Sequence, residues 1–358
     1  MNRFITLTFS LSVLVLFFFI GCEVALTDEE HIVDKIEKAY SVNSGGSLTL
    51  VSEFGAIDVQ TAEGDQVKIV VTKAAKPLSR SAAKEALADF DVAFTNEDTG
   101  VRIEGTFKQG REHWRKVLNR LEIRFQVTVP KDYNVDLDTA SGSISVADLN
   151  GDVRARTSGG SLRFGNITGT VWGRTSGGSI KLTSCDSPVD LKTSGGSIEV
   201  GDVAGDVQAQ TSGRGIRFGD IQGSVWGKTS GGSIKVEKCS GDVDVHTSGG
   251  SIKLGSTIGT VNARTSGGSI QALLTAQLHD ECSLRTSGGN ITVILIPDIA
   301  IDVDATTSGG SVSTDFAVAS TIQGKVPKNR LKGSINGGGP LMKLRTSGGG
   351  IRLQKISD

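Results

Sequence analysis

One short recurring string constrains the fold of this chain more than any other feature. The pentapeptide Thr-Ser-Gly-Gly-Ser, or a close variant of it, returns mostly at a constant spacing along the chain. The copies begin at Thr139, Thr157, Thr175, Thr193, Thr211, Thr229, Thr247 and Thr265, then at Thr286, Thr307 and Thr346, with a diverged first copy at Asn43. A fixed period of 18 residues predicts a stack of structural repeats.

Each repeat contains two stretches in which apolar and polar residues alternate. In one unit, for example, Val189 and Leu191 precede the string, and Ile198 and Val200 follow it. Alternation with a period of two predicts two short strands, each with one buried face. The Gly-Gly pair between the strands is expected to supply positive φ angles for a tight corner.

The repeat unit is 18 residues long, as the step from Thr157 to Thr175 shows. A unit this short can bury its apolar face only by packing against further copies of itself. We therefore predict an all-β fold, a parallel β-solenoid built as a single-stranded β-helix from 18-residue coils about 4.8 Å apart. The usual hand of parallel crossovers predicts a right-handed solenoid. A left-handed hexapeptide helix is disfavoured, because apolar residues do not recur at every sixth position.

A longer period is superimposed on the shorter one. The segment that starts at Ser161 is echoed three coils later by the segment that starts at Gly215. The matched pairs are Phe164 with Phe218, Trp172 with Trp226, and Cys185 with Cys239. A block of three coils has duplicated as a whole, as suits a scaffold in which each coil contacts only its neighbours.

The first 21 residues are typical of a secretion signal. Arg3 provides the positive start, residues 4–20 are a mostly apolar run without charge, and Gly21 precedes Cys22. This ending resembles a bacterial lipobox, so Cys22 is predicted to carry lipid and to hold the protein at a membrane of the cell envelope. Glu23 favours the outer membrane where the cell has one. The alternative is an uncleaved membrane anchor, and both interpretations export the rest of the chain.

The remaining chain divides into three parts. Residues 22–35 are polar and predict a tether, and residues 139–358 form the repeat solenoid. Residues 36–138 predict an irregular β region that caps one end of the solenoid. Within that region we expect strands over 51–72 and 121–129, a short helix over 79–90, and a long hairpin connection over 108–120.

Taken together, the motifs resemble the DUF4097 family, whose members are named adhesins by inference. The resemblance runs over residues 36–356. It is carried by the opening Ser-Gly-Gly-Ser-Leu-Thr-Leu from Ser44, the Val-Thr-Val-Pro that ends at Pro130, the repeated units, and the closing segment from Gly337. The family implies a β-solenoid displayed outside the cytoplasm and carries over no catalytic residue.

The three cysteines after Cys22 are predicted to be small buried hydrophobes. Cys185 and Cys239 hold the same repeat position three coils apart, about 14 Å by the coil spacing, which is too far for a disulfide. Cys282 stands where other coils have valine. Buried free cysteine is common in protein cores.

No pattern predicts a catalytic centre, a metal site or a cofactor. The four histidines are scattered without ligand spacing, and the aspartates of the Gly-Asp-Val turns supply only about one carboxylate per coil. No nucleophile elbow is present. A glycan-acting enzyme on a β-helix, either a lyase or a hydrolase, is the alternative, and a clefted cluster of charged side chains would favour it.

One surface feature points to binding. Stacking would align cations before and after each corner into two stripes beside two tryptophans. The candidate polymer-binding residues are Arg156, Arg174, Lys192, Lys228 and Arg264, then Arg163, Lys181, Arg217, Lys235 and Lys253, with Trp172 and Trp226. Such stripes would suit an acidic polysaccharide or surface glycan. The alternative is that these cations only keep the β-surface from aggregating.

The sequence thus predicts a non-enzymatic scaffold of the cell envelope, either an adhesin-like binding module or a structural lipoprotein. The net charge of −1 gives no general attraction to nucleic acid, and export argues further against that partner. Ice binding is disfavoured because each coil has one threonine beside a Gly-Gly corner and no flat Thr-x-Thr face.

Overall fold

The computed structural model describes residues 25–26, 32–75, 80–97, 99–320 and 327–356. The predicted signal peptide and Cys22 lie outside the described residues. The N-terminal elements are β1 (Ala25–Leu26), β2 (Ile32–Ser41), β3 (Ser47–Ser52), β4 (Ala56–Ala62), β5 (Gln66–Ala75), α1 (Arg80–Asp89), β6 (Phe90–Glu97), β7 (Gly100–Phe107), a 3-10 turn (Leu118–Arg120), β8 (Leu121–Pro130) and β9 (Asn134–Thr139). The strand β2 begins inside the stretch predicted as a tether.

The repeats supply pairs of short strands. They are β10 (Ile144–Val146), β11 (Val153–Thr157), β12 (Leu162–Ile167), β13 (Val171–Arg174), β14 (Ile180–Cys185), β15 (Val189–Lys192), β16 (Ile198–Val203), β17 (Val207–Gln210), β18 (Ile216–Ile221), β19 (Val225–Lys228), β20 (Ile234–Cys239), β21 (Val243–His246), β22 (Ile252–Thr257), β23 (Val261–Arg264), β24 (Ile270–Leu274), β25 (Cys282–Arg285) and β26 (Ile291–Leu295). The last strands are β27 (Ile301–Thr307), β28 (Val312–Thr314), β29 (Arg330–Ile335), β30 (Leu341–Thr346) and β31 (Ile351–Lys355).

These strands alternate between two long sheets. Within the described residues, one sheet has 16 strands and the other has 15. Each coil gives one strand to each sheet, and strands of successive coils pair in parallel, each residue with its equivalent in the next coil. Val153, for example, pairs with Val171, and Leu162 pairs with Ile180. The predicted parallel β-solenoid with 18-residue coils is confirmed.

The core lies between the two sheets. Ile180, Ile198 and Ile234 point into it and are each 1% exposed. The alternation therefore places the side chains as predicted, because successive residues of a strand face opposite sides of the sheet. The polar residues between them face outwards along each strand.

The corner threonines are buried and join neighbouring coils. Thr193 is 1% exposed, and its hydroxyl donates to the carbonyl of Gly178 in the preceding coil at 2.7 Å. The same hydroxyl accepts from the backbone N–H of Gly196 at 3.4 Å. Equivalent bonds from the hydroxyl to the preceding coil recur at Thr157, Thr175, Thr211, Thr229, Thr247, Thr265 and Thr286.

The predicted positive φ at the corner glycines is present at Gly45 and Gly142. It is wrong for the coils from Thr157 to Thr265, in which no corner glycine adopts a positive φ. The second glycine is required by the neighbouring coil: a Cβ on Gly160 would lie 1.9 Å from the carbonyl oxygen of Gly142. A Cβ on the first glycine, Gly159, would meet nothing closer than 3.8 Å. The variant corner carries Arg214 at the second position and follows it with a glycine in place of serine.

Large and small side chains complement one another across the core. Phe164 and Phe218 occupy coils in which the facing position of the other sheet is Gly173 or Gly227. A Cβ on Gly227 would lie 3.1 Å from the ring of Phe218. The duplicated block therefore retained each Phe together with its Gly, as close packing requires.

At the N-terminal end, chain order and stacking order differ. The coil of β3 and β4 lies between the coil of β7 and β8 and that of β9 and β10. Antiparallel strands β2, β5 and β6 then close this end. The predicted helix is present as α1. The predicted hairpin over 108–120 is wrong, because β7 and β8 belong to different sheets and the segment crosses between them, with Trp114 buried.

At the C-terminal end, too, stacking order differs from chain order. The last coil, β30 and β31, inserts between the coil of β25 and β26 and that of β27 and β28. Its corner hydroxyl, on Thr346, donates to the carbonyl of Gly289. The hydroxyl of Thr307 then donates to the carbonyl of Gly349. The antiparallel strand β29 covers the outer edge of β27. In the described part of the chain, no helix has the length and apolarity needed to cross a membrane.

Candidate functional site

The residues immediately before each corner, most of them Arg or Lys, form one continuous column, which we call the pre-corner column. The register places them in a single row: Arg156, Arg174, Lys192, Gln210, Lys228, His246, Arg264 and Arg285, continued by Arg345. Several of these side chains lie beside carboxylates. Arg174 binds Asp190, His246 lies 3.3 Å from Asp244, and Arg345 binds Asp304.

The residues after each corner form the post-corner column. Its members are Arg163, Lys181, Glu199, Arg217, Lys235 and Lys253, followed by Gln271, Thr292 and Arg352. The register predicted from the sequence is thus present in both columns. Lys181 pairs with Glu199 at 3.3 Å, and Lys235 pairs with Glu237. Among the described residues, Arg217 and Lys253 form no ion pair.

The post-corner column contains a shallow groove of about 610 Å³. Arg217, Lys235 and Lys253 lie along it in consecutive coils, beside the hydroxyls of Ser233 and Ser251. Three cations line this groove against one lining carboxylate, that of Glu199. The pKa of the neighbouring Glu237 carboxyl is lowered, first by the hydrogen bond from Lys235 and further by the charges of Arg217 and Lys253. Anionic groups are therefore favoured here.

The two tryptophans lie in a different groove, which we call the tryptophan groove. It has a volume of about 680 Å³ and runs across the outward face of the other sheet, from β13 to β21. Its charged lining residues, among those the structure describes, are all acidic: Asp190, Asp206, Asp242 and Asp244. The sequence placed Trp172 and Trp226 beside the basic stripes but missed this acidic lining.

The signal for the acidic lining was present in the sequence. Residues two positions before the pre-corner column read Arg154, Trp172, Asp190, Gln208, Trp226 and Asp244 in successive coils. The turn aspartates Asp206 and Asp242 lie two residues before this row, on the same outward face, and also line the groove. Reading each outward row separately, and not only the rows rich in cations, would have found the groove.

The surroundings of Trp172 and Trp226 are only partly equivalent. The guanidinium carbon of Arg154 lies 3.9 Å from the centroid of the Trp172 ring, and that of Arg174 lies at 4.6 Å. One block further on, these two positions hold Gln208 and Lys228. In the described part of the chain, no cation lies over the Trp226 ring.

The three described cysteines are buried, as predicted, and none is disulfide-bonded. Cys185 stacks between Ile167 and Val203, and the thiol of Cys282 accepts from the backbone of Val261 at 3.2 Å. Burial raises the pKa of each thiol, that of Cys239 to about 11. Thiols with raised pKa values are poor nucleophiles.

The described residues contain no group of three or more His, Cys, Asp or Glu side chains that could hold a metal ion. The turn aspartates instead bind backbone N–H groups of the following coil. Asp152 accepts from Thr170 at 2.7 Å, and Asp206 accepts from Ser224 at 2.7 Å. These carboxylates have a structural role in joining coils.

Comparison with known proteins identifies the family. The sequence profile described as Toastrack DUF4097 matches residues 47–249 and 243–354. The chain belongs to this family, and the resemblance read from the repeats is confirmed. None of the curated proteins matches the chain.

Several solved structures are similar to this chain over most of its length. A candidate adhesin from Parabacteroides merdae is 9% identical with a TM-score of 0.33, and covers 90% of this chain and 96% of its own. A candidate adhesin from Bacteroides fragilis is 11% identical with a TM-score of 0.29, covering 90% and 97%. A candidate lipid-binding protein from Parabacteroides distasonis is 11% identical with a TM-score of 0.28, covering 90% and 97%. Similarity this low says nothing about what this chain binds.

Proposed function

We propose that this member of the DUF4097 family is a non-enzymatic scaffold of the cell envelope that binds acidic polymers in an adhesin-like manner. The observation that supports this most directly is the post-corner groove. Arg217, Lys235 and Lys253 stand in consecutive coils along it and lower the pKa of Glu237 together. A row of cations at about 4.8 Å intervals suits a linear polyanion better than a compact anion.

The stack fixes the backbone positions from which the cations project. Each coil is held to the next by ladder hydrogen bonds in both sheets and by the corner threonine. The backbone positions of the row are therefore set before a ligand arrives, and binding loses little backbone entropy. The neighbouring serine hydroxyls can also donate hydrogen bonds to carboxylate, phosphate or sulfate oxygens.

We also propose that Cys22 is lipidated and that the solenoid is displayed from a membrane of the envelope, the outer membrane where there is one. This rests on residues 1–22 of the sequence, which lie outside the described residues. Cells grown with labelled palmitate should incorporate the label into the unchanged protein and not into Cys22→Ser. Absence of label in the unchanged protein, or equal labelling of Cys22→Ser, would contradict lipid anchoring at Cys22.

Heparin chromatography of the lipid-free protein tests the polymer site. The triple variant Arg217→Gln, Lys235→Gln, Lys253→Gln should elute at clearly lower salt than the unchanged protein. Fewer charge contacts hold this variant on the column, so less salt is needed to screen them. The matched control changes Lys192, Lys228 and Arg264 of the pre-corner column to Gln and removes the same charge. Equal shifts for both variants would show a diffuse charge effect, and flow-through of the unchanged protein at low salt would end the proposal.

The second candidate function is a glycan-acting enzyme, because the tryptophan groove carries four carboxylates. Glycoside hydrolysis needs a general acid whose pKa is raised. Hydrogen bonds from Thr260 instead lower the pKa of Asp242. Incubation with envelope glycans, followed by a reducing-sugar assay, distinguishes the two functions: release that Asp242→Asn abolishes would favour the enzyme.

A further inference from the structure

The duplicated block places two copies of one arrangement in the tryptophan groove. At Trp172, the protein supplies its own cation: Arg174 lies over the ring and binds the carboxylate of Asp190 in the next coil. Arg154 covers the same ring from the preceding coil. The ring and the carboxylate together hold a guanidinium, since the face of tryptophan attracts cations.

The second copy keeps the ring and the carboxylate but lacks the covering cations. Trp226 pairs in register with Asp244, as Trp172 does with Asp190. Gln208 replaces Arg154, and Lys228 replaces Arg174 without lying over the ring. Asn262 donates to one carboxylate oxygen of Asp244 at 3.0 Å, and His246 lies beside that same oxygen. The ring of Trp226 is half-buried and borders the groove.

From this difference we infer that the tryptophan groove is a second binding site, in which the ammonium group of an amino-sugar chain occupies the place over Trp226 and beside Asp244. The site is separate from the post-corner groove and does not depend on the proposed function. Its carboxylates repel the polyanions that the other groove attracts, so the two grooves select opposite charges.

The lining favours a glycan over a peptide. The groove lies on the face of a sheet whose backbone groups are already used in parallel ladders between successive coils. An added strand would therefore find no backbone partners here. The side chains of Gln208 and Asp244 instead offer acceptors, which suits the hydroxyl and amino donors of a sugar chain.

The groove also has the length of an oligosaccharide site. It crosses five successive coils, which is about 19 Å at the usual strand spacing. Trp172 and Trp226 mark positions three coils apart, and the shallow floor between them includes Pro188. A linear chain can follow this floor with its sugar faces against the rings.

Calorimetric titration with a hexamer of glucosamine tests the inference. Binding should weaken by about tenfold in Trp226→Ala. The double variant Gln208→Arg, Lys228→Arg copies the environment of Trp172 and should block the site to a similar extent, while keeping both the ring and Asp244. The matched control is the post-corner triple variant, which should bind the hexamer as the unchanged protein does.

Four outcomes would overturn the inference. They are no binding of the hexamer, binding that neither groove variant weakens, equal binding of the fully N-acetylated hexamer, and tighter binding of hexalysine with the same sensitivity to the variants. The third outcome removes the role of the ammonium group, and the last replaces the glycan by a basic peptide. Heparin retention by the post-corner column is measured separately, so failure of one site leaves the other interpretable.

Discussion

Replacing the second corner glycine should destabilise the solenoid far more than replacing the first. In Gly160→Ala, the new Cβ would lie 1.9 Å from the carbonyl oxygen of Gly142. An ordinary contact between a carbon and a carbonyl oxygen is about 3.3 Å, so the two neighbouring coils must move apart locally by roughly 1.4 Å. That same oxygen accepts the hydroxyl hydrogen bond of Thr157 at 2.8 Å.

The magnitude follows from the bonds at that corner. The withdrawal removes the bond from Thr157 and weakens those from Gly160 N–H to Thr157 and from Ser161 N–H to Ser143. Three bonds at about 1 kcal/mol each, with overpacking strain of about 1–3 kcal/mol, predict a loss of about 4–6 kcal/mol. In Gly159→Ala, the nearest atom is 3.8 Å away, and the change should stay within about 1 kcal/mol.

Urea denaturation followed by far-UV circular dichroism and tryptophan fluorescence measures both free energies of unfolding. Hydrogen exchange at the corner amides shows whether the loss is local, since a stacked repeat can open near the altered coil. A third variant, Gly160→Ala with Ser161→Gly, copies the natural corner at Arg214 and should recover part of the stability. Equal losses in Gly159→Ala and Gly160→Ala would refute the argument from the coil-to-coil contact.

Three further predictions follow from the core. Phe218→Val and Gly227→Val should each destabilise by about 1–4 kcal/mol, but the double variant should lose less than the sum, because it copies the neighbouring Val-Val coil; additive losses in denaturation would contradict this. Thr193→Val should cost about 1–3 kcal/mol and Thr193→Ser less, since only serine keeps the hydroxyl bonds of this corner; equal unfolding midpoints would be the opposing result. Burial raises the pKa of Cys239 from 9.0 to about 11, so its contribution to stability is complete below pH 9 and declines as pH rises towards 11. The free energy of unfolding should therefore fall less steeply in Cys239→Val over that range, and rapid maleimide labelling of the native protein would contradict the burial.

Much of the architecture could be predicted because it is periodic. The position of Ile180 on the buried face, the pairing of Arg174 with Lys192, and the burial of Cys185 all follow from the period. The helix predicted over 79–90 is also present, as α1, and its C-terminal end at Asp89 lies one residue from the predicted end. These features depend on local patterns that each segment carries in itself.

The functional surface was predicted less completely. The two cation columns are present in the expected register, but pairing with Asp190 and Glu199 reduces the charge available at Arg174 and Lys181. The acidic surroundings of Trp226 were missed, because they arise from aspartates of several coils that only the stack brings together.

The alternation within each repeat specifies the coil, its two strands and their register. A slip of one residue would turn every inward side chain, such as Ile198, towards solvent, so the alternation permits one alignment. The order of the coils at the two ends depends on contacts between distant parts of the chain: β3 and β4 stack out of chain order, and β30 and β31 insert before β27. Every coil offers nearly the same edge to its neighbour, so the repeat pattern cannot specify which coil lies outermost. The antiparallel strands that cover the last edges decide it.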